Sequence, residues 1–128
     1  GDTVALIATG SMVHSCLKAA DILAAEGIES RVLNMHTIKP LDTVALDEAM
    51  GHRLIVTAEE HSIMGGLGTS VAEHLALNSS SPPLLRIGVT PGYPHAGDYQ
   101  YMLGFYGLTA DKIAARVLTS LRMGKNFL

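Results

Sequence analysis

Two carboxylates and a histidine run straight into a glycine-rich segment in Ala58-Glu59-Glu60-His61-Ser62-Ile63-Met64-Gly65-Gly66-Leu67-Gly68-Thr69-Ser70, between a strand-like run and a helix-like one. Side chains of these types could work as acid, base or hydrogen-bond donor, and glycines ahead of a helix expose backbone N–H groups to an anion. In a parallel sheet, ligands settle beyond the carboxyl ends of the strands, so the position suits a phosphate. The pattern does not. Gly65-Gly66-Leu67-Gly68 matches neither G-x-G-x-x-G nor G-x-x-x-x-G-K-[ST], and no lysine or arginine stands between Arg53 and Arg86. Glu59 and Glu60 would repel an anion if they face the loop. The glycines are therefore expected to let the chain turn and the helix pack closely. A regulatory anion- or nucleotide-binding module at Gly65, Gly66 and Gly68 is the alternative. Glu60 and His61 are the residues expected to touch a neighbouring domain.

The other candidates are weaker. Of His14, His36, His52, His61, His74 and His95, none forms an H-x-x-x-H pair, and the one cysteine allows no C-x-x-C, so no metal site is indicated. His36 and His61 each follow a strand, the edge where sites form, whereas His14 and His74 sit on helical patterns as surface or boundary residues. Gly10-Ser11-Met12 lacks the G-x-S-x-G elbow of a serine nucleophile. Tyr93, Tyr99, Tyr101, Phe105 and Tyr106 are all the aromatic residues except Phe127, and they lie between Pro91 and Gly107 with His95 and Asp98 among them. Such a concentration suits an interface, with His95, Tyr99 and Tyr101 as contacts, or else covers one end of the core.

The elements that must position these residues alternate. Thr3 to Thr9 is a nearly continuous apolar run, the mark of a strand covered on both faces. Ser11 is placed to cap a helix carrying Met12, Val13, Cys16, Leu17, Ala20, Leu23 and Ala24 inward, with Gly27 as its stop. Ser30 to Met35 reads as a second strand and 36–41 as a loop. Asp42 caps a short helix through Met50, and Arg53 to Thr57 is a third strand. Helical spacing runs from about Gly66 to Leu77, Asn78 to Pro83 is a loop, and Leu84 to Val89 is a fourth strand. Thr109 caps a last helix whose inward residues are Ile113, Ala114, Val117, Leu118 and Leu121. Strands alternating with helices predict one layered α/β domain over residues 1–128 with a mainly parallel sheet.

The totals set the class. At 128 residues and 48% hydrophobic, the chain can bury about two thirds of its unfolded surface around one core. A formal charge of −3 with dispersed basic residues argues against nucleic acid. The apolar runs fall short of the roughly 18 residues a membrane span needs. The lone Cys16 reads as a core residue and suits a reducing cytoplasm. An opening of Gly1-Asp2-Thr3 that enters a strand at once is expected of a domain excised from a longer chain.

Taken together, Thr3 to Gly10 with Ser11, Val32 to Asp42 (VLNMHTIKPLD), Ile55 to Gly68 (IVTAEEHSIMGGLG), Ile87-Gly88-Val89 and Tyr106 to Ala110 resemble, in order and spacing, the C-terminal domain of transketolase-like enzymes. The resemblance spans nearly the whole chain and is strongest to the C-terminal section of split transketolases. It is weaker to deoxyxylulose-phosphate synthases and to the beta subunits of 2-oxo acid dehydrogenases, whose reaction would be decarboxylation and acyl transfer to a lipoyl carrier. It implies a three-layer α/β/α fold with a five-stranded, mostly parallel sheet. It also implies that thiamine diphosphate and Mg2+ are held by the two domains that precede this one. No cofactor-binding or catalytic residue of the family can be carried onto a position here. The implied role is packing and dimer contact within a cytoplasmic enzyme that moves a two-carbon ketol unit from a ketose phosphate to an aldose phosphate. Thr90 to Asp98 departs from the pattern in being more aromatic.

Overall fold

The computed structural model describes residues 3–35, 42–62, 66–89 and 108–127. Strand β1 (Val4–Ala8) is followed by helix α1 (Met12–Ala25), β2 (Ser30–Asn34), α2 (Thr43–Ala49), β3 (Leu54–Ser62), α3 (Leu67–Leu75), β4 (Leu84–Val89) and α4 (Ala110–Phe127). The strands form one sheet in the order β2-β1-β3-β4, every pairing parallel. Among the described residues the sheet has four strands, where the family resemblance implied five. Four is also the number of apolar runs that read as strands.

Alternation along β1 decides the layers. All five of its side chains are fully buried, which is why the run reads as continuously apolar. Val4, Leu6 and Ala8 point to one face, where Met12, Cys16, Ala19 and Leu23 of α1 and Ile113, Ala114 and Val117 of α4 meet Leu54, Val56 and Ala58 of β3. Ala5 and Ile7 point to the other, against Leu46 and Ala49 of α2, Ile55, and Leu67, Val71 and Leu75 of α3. Helices on both faces of a parallel sheet give the expected three layers.

Local chemistry fixes the ends of the helices. The Asp42 side chain accepts the Ala45 N–H at 3.1 Å, the cap foreseen for α2. At the end of α1 the Gly27 N–H reaches the Ala24 carbonyl at 3.0 Å, and the Ile28 N–H reaches that of Leu23 at 2.9 Å. This paired pattern needs a left-handed residue, and Gly27 supplies it with φ of 78°. Ile28 and Leu23 then share the core cluster.

Several expectations change. Ser11 stands at the start of α1 but makes no side-chain cap, since its hydroxyl is used elsewhere. Leu17 is 51% exposed and Ala24 is exposed, while Ala19 is buried, so the inward stripe of α1 is rotated toward Met12, Cys16, Ala19 and Leu23. Strand β3 continues past Thr57 to Ser62, which places Glu59, Glu60 and His61 on the sheet instead of in a turn. Its pairing with β4 shifts register between Ala58 and Ser62.

Cys16 is fully buried, and burial pushes its thiol from the ordinary 9.0 up to about 12. The thiolate is the reactive form, so Cys16 is inert while the chain is folded. Alkylation by iodoacetamide at pH 8 is expected to be negligible under native conditions and rapid in denaturant. Because the folded value is raised, the associated stability is complete below pH 9 and falls as pH climbs toward 12, a slope that Cys16→Ala should remove in alkaline unfolding titrations.

Candidate functional site

Strand order reverses between β1 and β3, so the crevice beyond their carboxyl ends is where a ligand would be sought in this architecture. Three features meet there: the last residues of β3, the start of α3, and the turn from β1 into α1.

Glu59 decides the chemistry of the crevice. Period-two alternation puts it on the face of Ile55 and Thr57, beneath α3, and it is 1% exposed. One carboxylate oxygen accepts the Leu67 N–H at 2.9 Å and the other the Gly68 N–H at 2.7 Å. These are first-turn amides of α3, which have no partner within the helix. The charge-assisted bonds and the positive end of the helix compensate the burial of an acid that would otherwise cost several kcal/mol. The anion position at the start of α3 is thus filled by the chain's own side chain. The first two amides of α3 are committed to it.

Gly68 completes the arrangement. A Cβ on it would stand 2.7 Å from Arg86 Nε, 3.1 Å from Thr57 Oγ1 and 3.2 Å from Glu59 Oε2. Thr57 is fully buried, and Arg86, from β4, donates through Nη2 to Thr69 Oγ1 at 2.7 Å. The absence of a side chain lets α3 settle directly on this polar group. Gly66, at the N-terminal boundary of α3, has φ of −99°, so its conformation is open to other residues. The close approach is at Gly68.

On the other face of β3, the Ser11 hydroxyl donates to Glu60 Oε1, tying the turn after β1 to the end of β3. That bond lies at the surface, across the mouth of the crevice. Backbone placement puts His61 next on the strand. Gly65, His95, Tyr99 and Tyr101 lie outside the described residues, as does His36.

The remaining histidines do not converge. His14 is exposed. His52 donates from Nδ1 to the Ala49 carbonyl at 2.9 Å, and His74 donates from Nε2 to Asp47 Oδ1 at 3.0 Å, linking α3 to α2. Among the described residues no three His, Cys, Asp or Glu side chains are placed to hold a metal ion. Neither is any helix among them long and apolar enough to cross a membrane. With Glu59 on them, the Leu67 and Gly68 N–H groups are already bonded and are not free to hold a diphosphate.

Sequence reasoning treated Glu59 as a repelling charge and did not single out Thr57, Thr69 or Arg86. The signal for Glu59 was present in the alternation Ile55, Thr57, Glu59. An acid on the buried face of a strand that leads into a helix start needs donors, and the helix has them.

Residues 1–113 match the family described as transketolase, C-terminal domain. A transketolase C-terminal section of Methanocaldococcus jannaschii is 38% identical over 122 residues, covering 95% of this chain and 38% of that protein. A 1-deoxy-D-xylulose-5-phosphate synthase of Chlorobium luteolum is 43% identical over 113 residues, 88% of this chain and 18% of that one. Among solved structures, a split gene transketolase, described as an inactive beta4 tetramer, superposes with a TM-score of 0.84 at 39% identity, covering 95% of this chain and 39% of that chain. The chain spans well under half the length of these relatives.

The geometry orders the stability effects of three substitutions. Glu59→Gln swaps an acceptor for an amide group facing backbone donors and should cost about 2–3 kcal/mol in chemical unfolding. Gly68→Ala should be destabilising by about 1–3 kcal/mol although alanine favours helix, because Arg86 Nε would have to yield. Gly66→Ala should stay within about 1 kcal/mol of the parent. An inverted order for the two glycines would refute the close-packing account.

Proposed function

Because the chain belongs to the transketolase C-terminal domain family, we propose that it is the C-terminal, non-catalytic part of a thiamine-diphosphate-dependent transketolase, in which it serves assembly. The observation that carries this reading is the Glu59 carboxylate seated on the Leu67 and Gly68 amides, which, among the described residues, turns the start of α3 to holding that helix in place. Thiamine diphosphate and Mg2+ then belong to the remaining domains or to a separate subunit. Ketol transfer between sugar phosphates is the reaction of the assembled, dimeric, cytoplasmic enzyme. In that enzyme the surface pair Ser11 and Glu60, with His61 beside it on β3, faces the neighbouring domain at the carboxyl edge of the sheet.

A second reading is favoured by the identity to the Chlorobium luteolum enzyme, namely that the full-length protein forms 1-deoxy-D-xylulose 5-phosphate. The role of the present chain would be the same. Assaying the full-length protein for that product and for ketol transfer between a ketose phosphate and an aldose phosphate separates the two.

Titration calorimetry of the chain with thiamine diphosphate and Mg2+ is expected to give no saturable heat, and a micromolar complex would overturn the non-catalytic assignment. In the full-length protein, Glu60→Ala is expected to weaken association with the partner domain or subunit by about ten-fold, without lowering the unfolding midpoint of the domain. Unchanged assembly would remove this contact from the proposal.

A further inference from the structure

The edge of the sheet where the strands begin lies away from the Glu59 crevice, and it holds a cavity of about 410 Å³. Thr3, just ahead of β1, Glu26, Gly27 and Ile28 of the turn that ends α1, Arg53, just ahead of β3, and Leu118, Leu121 and Arg122 of α4 line it. The volume falls in the range of small-molecule sites.

Its walls divide by chemistry. Ile28, Leu118 and Leu121 pack against the buried core and form an apolar floor. Arg53, Arg122 and Glu26 are exposed and form the rim. The turn's own donors are spent, because the Gly27 and Ile28 amides bond back to α1 and the Thr3 amide reaches the Glu29 carbonyl at 2.8 Å. Recognition there falls to side chains. Neither guanidinium is paired with a carboxylate among the described residues, whereas Arg31 has Glu48 at 3.3 Å. Two guanidinium groups against one carboxylate leave the rim net positive, and guanidinium suits bidentate capture of a carboxylate or phosphate.

We infer that this cavity binds an amphipathic organic anion, with one carboxylate or phosphate head held by Arg53 and Arg122 and an apolar body lying on Ile28, Leu118 and Leu121. Glu26 selects against a second anionic group at the rim, so compact polyanions such as nucleoside diphosphates are disfavoured. The inference is independent of the transketolase reading, since it uses none of the residues at the carboxyl edge.

The test uses heptanoate and hexyl phosphate as probes, with heptan-1-ol as the neutral counterpart, titrated into the full-length protein carrying labelled methyl groups and arginine side chains. Saturable shifts are expected together at Ile28, Leu118 and Leu121 methyls and at the Arg53 and Arg122 Nε resonances. Response to heptanoate alone identifies a carboxylate ligand and to hexyl phosphate alone a phosphate ester; response to both identifies a site tolerant of either head. Arg53→Gln and Arg122→Gln should each weaken binding by about ten-fold or more with an unchanged unfolding midpoint, and Glu26→Gln should bind at least as tightly as the parent. The inference is overturned if neither anion shifts these groups, if heptan-1-ol binds as well as the anions, or if the arginine substitutions leave affinity intact.

Discussion

A buried carboxylate beneath a helix start is the interaction on which the carboxyl edge of this domain depends. Glu59 cannot be hidden without donors, and the first turn of α3 cannot be hidden without acceptors; each solves the other's problem. The consequence is geometric as well as energetic. The bonds fix where α3 begins, how close it lies to β3, and why the second residue of the helix must be bare. Gly68 follows from that constraint, and so do Thr57 and the Arg86 to Thr69 bond packed beside it.

The same interaction explains how a sheet architecture that commonly hosts ligands can be put to structural use. The switch point between β1 and β3 is present, and so is the helix start that elsewhere cradles phosphate. What differs is that the protein supplies the anion itself. Ser11 and Glu60 then close the surface of the crevice from the other face of the strand.

Much of this was legible in the residues. The continuous apolar run Val4 to Ala8, the Asp42 cap, the Gly27 stop and the inward face of α4 follow from local rules, and each is observed. The end of β3 was not legible in the same way, because Glu59-Glu60-His61 looks like a break in an apolar strand when read locally. Its partner amides come from eight and nine residues further on, and only the folded geometry joins them. Ser11 misled for a related reason: its type suits a cap, but Glu60, forty-nine positions away, takes its hydroxyl. The rotated stripe of α1 shows the limit of periodicity, since Leu17 fits the helical pattern yet is 51% exposed, while Ala19 is buried in the cluster that includes α4.

One consequence lies in the place of β1. It is fully covered and hydrogen-bonded on both sides, to β2 and to β3, yet it precedes both in the chain. During synthesis its second edge has no native partner until Leu54 and the residues after it have emerged, and parallel pairing of this kind forms slowly. An apolar strand with an open edge is in that interval a template for any other chain nearby. The strand order itself therefore makes β1 depend on a pairing that can close only after much of the domain has been made.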